Sequence, residues 1–202
     1  SAGLCLYPDR YRYRWVAESG EVVLGEGPEL LCAVTGPAPL PAVVPEIRWR
    51  AGVDLNPLSV HDDDAMAWLE TLVWPEQEDR RERLRAAVAV AAAEPPYLVR
   101  GNLLDALPAL VEEAQAFGRV VVFHSAVAAY LDPEERRRFV DLMTALVAAD
   151  VCRWVSNEAR SVLPAITATG PDPGDRPATF VLGLDGQALA WTHGHGSTLR
   201  WL

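Results

Sequence analysis

An alternation of strand and helix patterns between residues 97 and 156 constrains the fold of this chain more than any other feature. Short apolar strands at Tyr97–Arg100, Arg119–Phe123 and Asp150–Ser156 are separated by segments with helical periodicity. Strands that alternate with helices form parallel sheets covered by helices on both faces. The central strand, RVVVF, is continuously apolar, as expected for a strand covered in that way. The pattern predicts an α/β fold.

Two antiparallel hairpins are predicted outside this segment. Val22–Leu24 and Leu30–Val34 flank a Gly-Glu-Gly-Pro turn signal. Near the other end, Thr179–Leu184 and Ala188–Thr192 flank Asp185-Gly186, a pair typical of a type I′ turn. We therefore expect a mixed sheet that is mostly parallel and has an antiparallel hairpin at its C-terminal end.

Prolines mark the one internal boundary that the sequence suggests. Four prolines lie between Pro37 and Pro45, a stretch that must be a loop or an extended connector. We expect residues 1–45 to form the first hairpin and this connector, and residues 46–202 to form the α/β core of what is overall a single domain.

Composition excludes several function classes. The chain has no lysine, so its 18 Lys+Arg residues are all arginines, and Schiff-base and phosphate-loop chemistry are excluded. A formal net charge of −10 argues against nucleic-acid binding, and no apolar run approaches the ~20 residues that span a membrane. Three widely spaced cysteines indicate a reducing cytoplasm. We expect a cytoplasmic protein with a small-molecule ligand.

Polar residues follow several of the predicted strands, where open α/β sheets bind ligands. Asp54 ends the predicted strand Glu46–Asp54, and it either contacts a ligand or caps the turn at Asn56 or Leu58. Asn102 follows Tyr97–Arg100 in the same way.

His124 and Glu158 are the candidate reactive residues. His124 lies at the carboxyl end of an apolar strand, a suitable place for a general base. The alternative is a half-buried histidine bonded to a neighbouring loop. Asn157 and Glu158, at the end of the following strand, are expected to face the same crevice, unless they form a turn with a solvent-exposed carboxylate.

Other motifs have simpler interpretations. His193 and His195 could together hold a metal, but no third ligand is placed by spacing. Asp62-Asp63-Asp64 lies at a predicted helix start, where acidic residues are favoured electrostatically. Five tryptophans are expected to fill the core or line the crevice: Trp68, Trp74, Trp154, Trp191 and Trp201.

Several stretches resemble class I S-adenosylmethionine-dependent methyltransferases, whose Rossmann-like sheet ends in an antiparallel hairpin. Gly52–Pro57 (GVDLNP) resembles the end of their second strand, where an acidic residue binds the ribose hydroxyls. Arg100–Leu104 (RGNLL) resembles the end of the third strand, which faces the adenine, although Asp is usual where this chain has Asn102. Val120–Arg136 resembles the fourth strand and its helix. The resemblance implies an S-adenosylmethionine site at Asp54 and Asn102.

The whole chain also resembles an uncharacterised bacterial family, a domain of unknown function common in GC-rich bacteria. The similar stretches are RAGVDLNPL (Arg50–Leu58), AWLETLVWPEQEDRRERLRAA (Ala67–Ala87), VVFHSAVAAYL (Val121–Leu131) and WVSNE (Trp154–Glu158). In that family a segment like SAGLCLYPDRYRY follows a glycine-rich stretch similar to the first methyltransferase motif. This implies that Ser1–Leu4 is the tail of that motif and that Gly3 contacts the cofactor.

If that is so, the first and central strand precedes Ser1. We then expect one of three outcomes: a gap in the sheet, another segment or subunit in that slot (hence an oligomer), or an unstable fragment. The leading hypothesis is a methyltransferase-type Rossmann-like domain in which Gly3, Asp54 and Asn102 bind S-adenosylmethionine and His124 and Glu158 face the acceptor. The alternatives are a non-catalytic nucleotide-binding or scaffold module and a metal-dependent hydrolase.

Overall fold

The computed structural model describes residues 2–172, 174 and 179–202. Ser1 of the predicted motif tail and residues 173 and 175–177 of a predicted loop lie outside the described residues. The chain divides into two compact units, each of which is discontinuous in sequence. The first unit comprises residues 1–14, 23–30 and 41–110, and the second comprises residues 15–22, 31–40 and 111–202.

The regular elements alternate largely as the sequence predicts. The strands are β1 (Arg12–Ala17), β2 (Gly20–Leu24), β3 (Glu29–Thr35), β4 (Ala51–Asp54), β5 (Tyr97–Arg100), β6 (Val120–Ser125), β7 (Cys152–Ala159), β8 (Thr179–Leu184), β9 (Gln187–His193) and β10 (Thr198–Trp201). The helices are α1 (Asp63–Thr71), α2 (Glu78–Ala93), α3 (Leu103–Ala114), α4 (Pro133–Ala148) and α5 (Pro164–Thr167), and short 3₁₀ helices span Leu4–Leu6, Gln115–Phe117 and Ala128–Tyr130. No helix among the described residues is long and apolar enough to cross a membrane.

The described strands form two separate sheets. The larger sheet has the order β2-β1-β3-β10-β9-β8-β7-β6, and the smaller one contains β4 and β5. The mixed α/β character is confirmed, but the expectation of a mostly parallel sheet is wrong. In the larger sheet β8 is antiparallel to both β7 and β9, and β9 is antiparallel to β10, whereas β6–β7 and β3–β10 are parallel. The expectation of a first strand before Ser1, and of a gap or another segment or subunit in its slot, stays a prediction.

The C-terminal hairpin is confirmed, and β10 extends it. Asp185 and Gly186 both have positive φ, 51° and 84°, as a type I′ turn requires. After a loop, β10 returns antiparallel to β9 and pairs in parallel with β3. The sequence analysis did not identify β10.

The predicted N-terminal hairpin is wrong in its pairing. The strands exist, but β1 lies between β2 and β3 in the sheet. The glycines of the predicted turn explain the difference, because a Cβ on Gly25 or Gly27 would lie 2.3 Å from the carbonyl oxygen of Tyr11 or Arg10. The turn therefore crosses close to the start of β1, which places β3 on the other side of that strand from β2.

The core of the first unit is formed by its N-terminal segment and α2. The buried residues in this cluster are Ala2, Leu6, Tyr7, Tyr11, Val60, Ala87 and Ala91. Arg50 holds the same segment through a two-pronged contact with Asp9, at 2.9 and 3.1 Å, and its guanidinium lies 4.6 Å from the Tyr7 ring centroid. Paired carboxylate and guanidinium groups of this kind are the geometry in which arginine binds most specifically.

Two predictions about burial are wrong. Trp68 and Trp74 were expected in the core or a crevice, but they are 61% and 72% exposed, whereas Trp154 and Trp191 are buried. Both exposed rings belong to the α1 region, whose helix has no buried residue. Val121 and Phe123 of β6 are also exposed, so this apolar strand is not covered on both faces.

Candidate functional site

Two of the predicted cofactor residues, Asp54 and Asn102, lie at one edge of the small sheet. The parallel register pairs Asp54 with Arg100, and the Gly101 N–H donates to the Asp54 carbonyl oxygen at 3.0 Å. Asn102 follows directly. The carboxyl ends of β4 and β5 therefore bring these two polar side chains to the same edge, as the sequence predicts.

Both side chains also have local capping roles. The Asp54 Oδ1 accepts a hydrogen bond from the Asn56 N–H at 2.8 Å, and the Asn102 Oδ1 accepts from the Leu104 N–H at 2.9 Å at the start of α3. The interpretation of Asp54 as a residue that caps the turn at Asn56 is therefore confirmed.

Gly3, the third predicted cofactor residue, lies near the other end of β5. A Cβ added to Gly3 would lie 2.9 Å from Pro96 Cγ and 3.0 Å from Leu98 Cδ2, and the residue has a φ of +68°. Glycine is required here because the backbone is left-handed and packs directly on these side chains. The structure thus brings Asp54 and Asn102 together but places Gly3 near the beginning of β5.

His124 and Glu158 meet in the second unit. Parallel pairing of β6 with β7 aligns His124 with Ser156, and Glu158 lies two residues further along the same face. The His124 Nδ1 lies 2.7 Å from the Glu158 Oε1, and their side chains are only 7% and 3% exposed. Phe139 of α4 packs edge-on against the His124 ring, with centroids 5.1 Å apart.

Hydrogen-bond chemistry assigns the proton on His124. The indole Nε1–H of Trp154, which can only donate, lies 3.1 Å from the His124 Nε2. The Nε2 atom therefore accepts, and the proton is on Nδ1, from which it is donated to Glu158. Both ring nitrogens of His124 are therefore already in hydrogen bonds.

Glu158 is a buried carboxylate that stays ionised. Burial raises the pKa of Glu158, but hydrogen bonds from His124 and from the N–H groups of Ala128 and Val127 outweigh it, so the pKa lies below its ordinary value of 4.5. All of these donors reach Oε1. The other oxygen, Oε2, is buried and has no hydrogen-bond partner among the described residues.

These bonds fix the turn that follows β6, residues 126–131, which we call the 126–131 turn. Glu158 accepts from Val127 N–H at 2.8 Å and from Ala128 N–H at 3.0 Å. Arg136 of α4 donates from Nε to the Ala128 carbonyl and from Nη2 to the Leu131 carbonyl, both at 2.9 Å. The turn is thus bound by Glu158 through the N–H groups of Val127 and Ala128, and by Arg136 through the carbonyls of Ala128 and Leu131.

Asn157 does not face the same side as Glu158, contrary to the sequence prediction. Successive residues of a strand point to opposite faces, and Asn157 instead contacts Ser125 and Thr192, with distances of 3.1 and 2.7 Å. This alternation separates a polar chain on one face of the sheet from the His124–Glu158 pair on the other.

The remaining candidates make local contacts, and the His193 Nδ1 accepts a hydrogen bond from the His195 N–H at 3.2 Å. Asp62 caps α1 by accepting from Ala65 N–H at 3.0 Å, which agrees with the helix-start interpretation. The His193 and His195 ring centroids lie 5.5 Å apart. Within the described ranges, no group of three or more His, Cys, Asp or Glu side chains could hold a metal ion.

Sequence reasoning missed two residues that shape this site. Trp154 was expected to fill the core or line the crevice, without a partner, and Arg136 was named only within the stretch that resembles the fourth strand and its helix. The spacing of Trp154, Ser156 and Glu158 could have placed the indole on the same strand face as the carboxylate. Arg136 has no comparable sequence signal, because its acceptors are backbone carbonyls.

One protein family matches the chain, over residues 1–201; its description is "Uncharacterized protein conserved in bacteria" (DUF2332). No curated protein matches the sequence, and no solved structure matches it.

Proposed function

The chain belongs to the DUF2332 family of uncharacterised proteins conserved in bacteria, and on that premise we propose that it is a methyltransferase-like protein that binds S-adenosylmethionine. The observation that supports this most is the placement of Asp54 and Asn102 at the carboxyl ends of the paired parallel strands β4 and β5. Open α/β sheets bind nucleotides at that edge of their strands.

The chemistry of the two side chains suits the cofactor. A carboxylate such as Asp54 accepts hydrogen bonds from the two ribose hydroxyls, as the acidic residue of dinucleotide-binding folds does. The amide of Asn102 has both donor and acceptor atoms, which is what the edge of adenine requires. Gly3 stays a prediction as a cofactor residue, because it lies near the beginning of β5.

When bound, S-adenosylmethionine would be held by Asp54 and Asn102 and would supply an electrophilic methyl group for the lone pair of an acceptor. In this proposal His124 and Glu158 are positioning residues. Both His124 nitrogens are engaged, and the pair orders the 126–131 turn through the hydrogen bonds that Glu158 accepts from it.

Calorimetric titration of the full-length protein with S-adenosylmethionine tests the proposal. We expect saturable binding that Asp54→Ala weakens at least about tenfold, because a charge-assisted hydrogen bond to the ribose is lost. Asp64→Ala, which removes an exposed carboxylate of the same unit at the start of α1, is the matched control and should bind as the wild type does. If titration of the wild-type protein released or absorbed no heat of binding, the proposal that it binds S-adenosylmethionine would be wrong.

A second candidate is a non-catalytic nucleotide-binding or scaffold module. The observation that favours it is the burial of His124 and Glu158, which leaves neither as an accessible general base. The two candidates differ in the fate of the methyl group. A module of this kind would bind S-adenosylmethionine and S-adenosylhomocysteine but would transfer no labelled methyl group to a cell extract.

A further inference from the structure

Helix α1 is apolar on two sides, although none of its residues is buried. Met66 and Leu69 pack against the buried cluster of the first unit. Trp68 and Leu72 lie four residues apart, which makes them neighbours on another side of the helix, and they are 61% and 58% exposed. A surface helix needs one apolar stripe to hold it on a core. Packing within the first unit therefore explains the first stripe but not the second.

Trp74 continues the exposed stripe beyond the end of α1. Val73 is buried, whereas Leu72 and Trp74 on either side of it are exposed. The Gln77 N–H donates to the Trp74 carbonyl at 2.9 Å and closes the turn that carries this ring. We call Trp68, Leu72 and Trp74 the α1 patch. Tryptophan is among the residues most enriched at the energetic centre of protein interfaces.

Carboxylates without counter-ions accompany the α1 patch. Asp64 lies four residues before Trp68 and therefore on the same side of the helix. Glu76 follows Trp74 after one proline. Both acidic residues are exposed, and neither forms an ion pair with another described residue.

Two arginines of the neighbouring helix α2 are engaged with other groups. The Arg85 Nη2 lies 2.8 Å from the Glu70 Oε2, and Arg81 is paired with Glu78. Neither pair involves the carboxylates of the α1 patch. The apolar stripe thus has negative charge beside it that no described cation neutralises.

This charge narrows what can cover the α1 patch. Anionic lipid headgroups and nucleic-acid phosphates would both be repelled by Asp64 and Glu76. The formal net charge of −10 makes a second copy of this chain a poor match as well. A cationic side chain fits, because it can lie over an indole face and reach a carboxylate at the same time.

We propose that the α1 patch is a docking surface for a cationic amphipathic helix of another protein. Apolar residues of that helix cover the patch, because an exposed helical stripe packs well against a second helix. Its arginines or lysines pair with Asp64 and Glu76. The proposal does not rest on the proposed cofactor, since neither Asp54 nor Asn102 belongs to the patch.

Fluorescence anisotropy with dye-labelled synthetic peptides tests the docking. The probe is an amphipathic helix with leucines on one side and arginines beside them, and the matched peptide has glutamate in place of every arginine. We expect the arginine peptide to bind the full-length protein saturably and the glutamate peptide to bind at least about tenfold more weakly. Equal binding of the two peptides, or no saturable binding of the arginine peptide, would overturn the proposal.

A matched pair of apolar variants tests where the arginine peptide binds. Trp68→Ala should weaken its binding by about tenfold or more, because the indole lies at the centre of the contact. Val43→Ala removes a 74% exposed apolar side chain of the same unit and should bind as the wild type does. Urea unfolding shows whether each variant is folded, and Leu72→Ala provides a second test of the patch. Unchanged peptide affinity in folded Trp68→Ala and Leu72→Ala would overturn the proposal.

A matched pair of aspartate variants tests the role of charge. Asp64→Asn should weaken binding of the arginine peptide by about threefold and reduce its dependence on salt. Asp105→Asn changes an exposed aspartate in the first turn of α3 and should do neither. Equal losses in the two variants would mean that the peptide responds only to the net charge of the protein, which would overturn the proposal.

Two further measurements distinguish other occupants. Sedimentation equilibrium would assign the α1 patch to a second copy if the wild type self-associates and Trp68→Ala does not. Binding to phosphatidylserine vesicles that Trp68→Ala abolishes would assign it to a membrane surface. Either result would overturn the cationic protein partner. Titration of the same variants with S-adenosylmethionine should match the wild type, so the peptide result and the cofactor result can fail separately.

Discussion

The two candidate regions differ in how their polar residues are supported. In the second unit, Glu158, His124 and Trp154 form a buried hydrogen-bonded chain with partners on β6, β7 and the 126–131 turn. In the first unit, Asp54 and Asn102 each bond a nearby backbone N–H at the end of a four-residue strand. A buried chain makes residues essential to the fold, whereas strand-end residues can be changed with little structural consequence. The comparison indicates which substitutions will report on stability and which on ligand binding.

Removing Glu158 should have the largest effect on stability. Glu158→Ala leaves the His124 Nδ1–H and the N–H groups of Val127 and Ala128 without an acceptor in the protein interior. We expect a loss in the free energy of unfolding of about 1–3 kcal/mol for each buried donor that is left unpaired. Urea unfolding measures it, and a loss below about 1 kcal/mol would contradict the importance of this chain of bonds.

Replacing Trp154 by Phe should have the next largest effect. The substitution keeps an aromatic ring but removes the N–H that the His124 Nε2 accepts, and it also reduces buried volume. We expect about 1–3 kcal/mol of destabilisation. Trp68→Phe, at a 61% exposed position, is the control and should change stability by less than about 0.5 kcal/mol. Equal effects of the two substitutions would show that burial alone matters little here.

The pH dependence of stability should identify Glu158 directly. Its pKa in the folded protein is lowered from the ordinary 4.5, so its ionised form contributes stability that is present above that value. This contribution is lost as the pH falls through the lower pKa of the folded state. The stability difference between the wild type and Glu158→Gln should therefore be constant in neutral solution and shrink in acid. A difference that grows on acidification would contradict a lowered pKa of Glu158 in the folded protein.

Substitution of Asp54 should have the smallest effect on stability. Asp54→Ala removes the hydrogen bond that the Asn56 N–H donates to the carboxylate, and we expect the loss of this bond to cost about 0.5–1 kcal/mol. Thermal unfolding measures it. A loss as large as that of Glu158→Ala would mean that Asp54 is a structural residue and would weaken its assignment to a ligand.

The sequence predicted local structure well because local signals are strong. Asp132, Pro133 and Glu135 form a complete capping box at the start of α4, a motif specified by adjacent residues. Asp185-Gly186 likewise predicted the turn between β8 and β9. Such features depend on neighbouring residues alone.

Pairing between distant segments was not predictable in the same way. The order β2-β1-β3 depends on how Gly25 and Gly27 pass the backbone of residues 10–11. The contact between Glu158 and the 126–131 turn similarly requires the register of β6 against β7. The alternation that separates Asn157 from Glu158, however, was already contained in the two-residue period of a strand.

Hydrogen exchange with and without S-adenosylmethionine tests the central claim, that the ends of β4 and β5 bind the cofactor. The account predicts that the cofactor slows exchange of residues 52–56 and 100–104 in the wild-type protein and in Glu158→Gln, and that this protection is lost in Asp54→Ala. Unchanged exchange at the ends of β4 and β5 in the wild-type protein, at saturating cofactor, would contradict it.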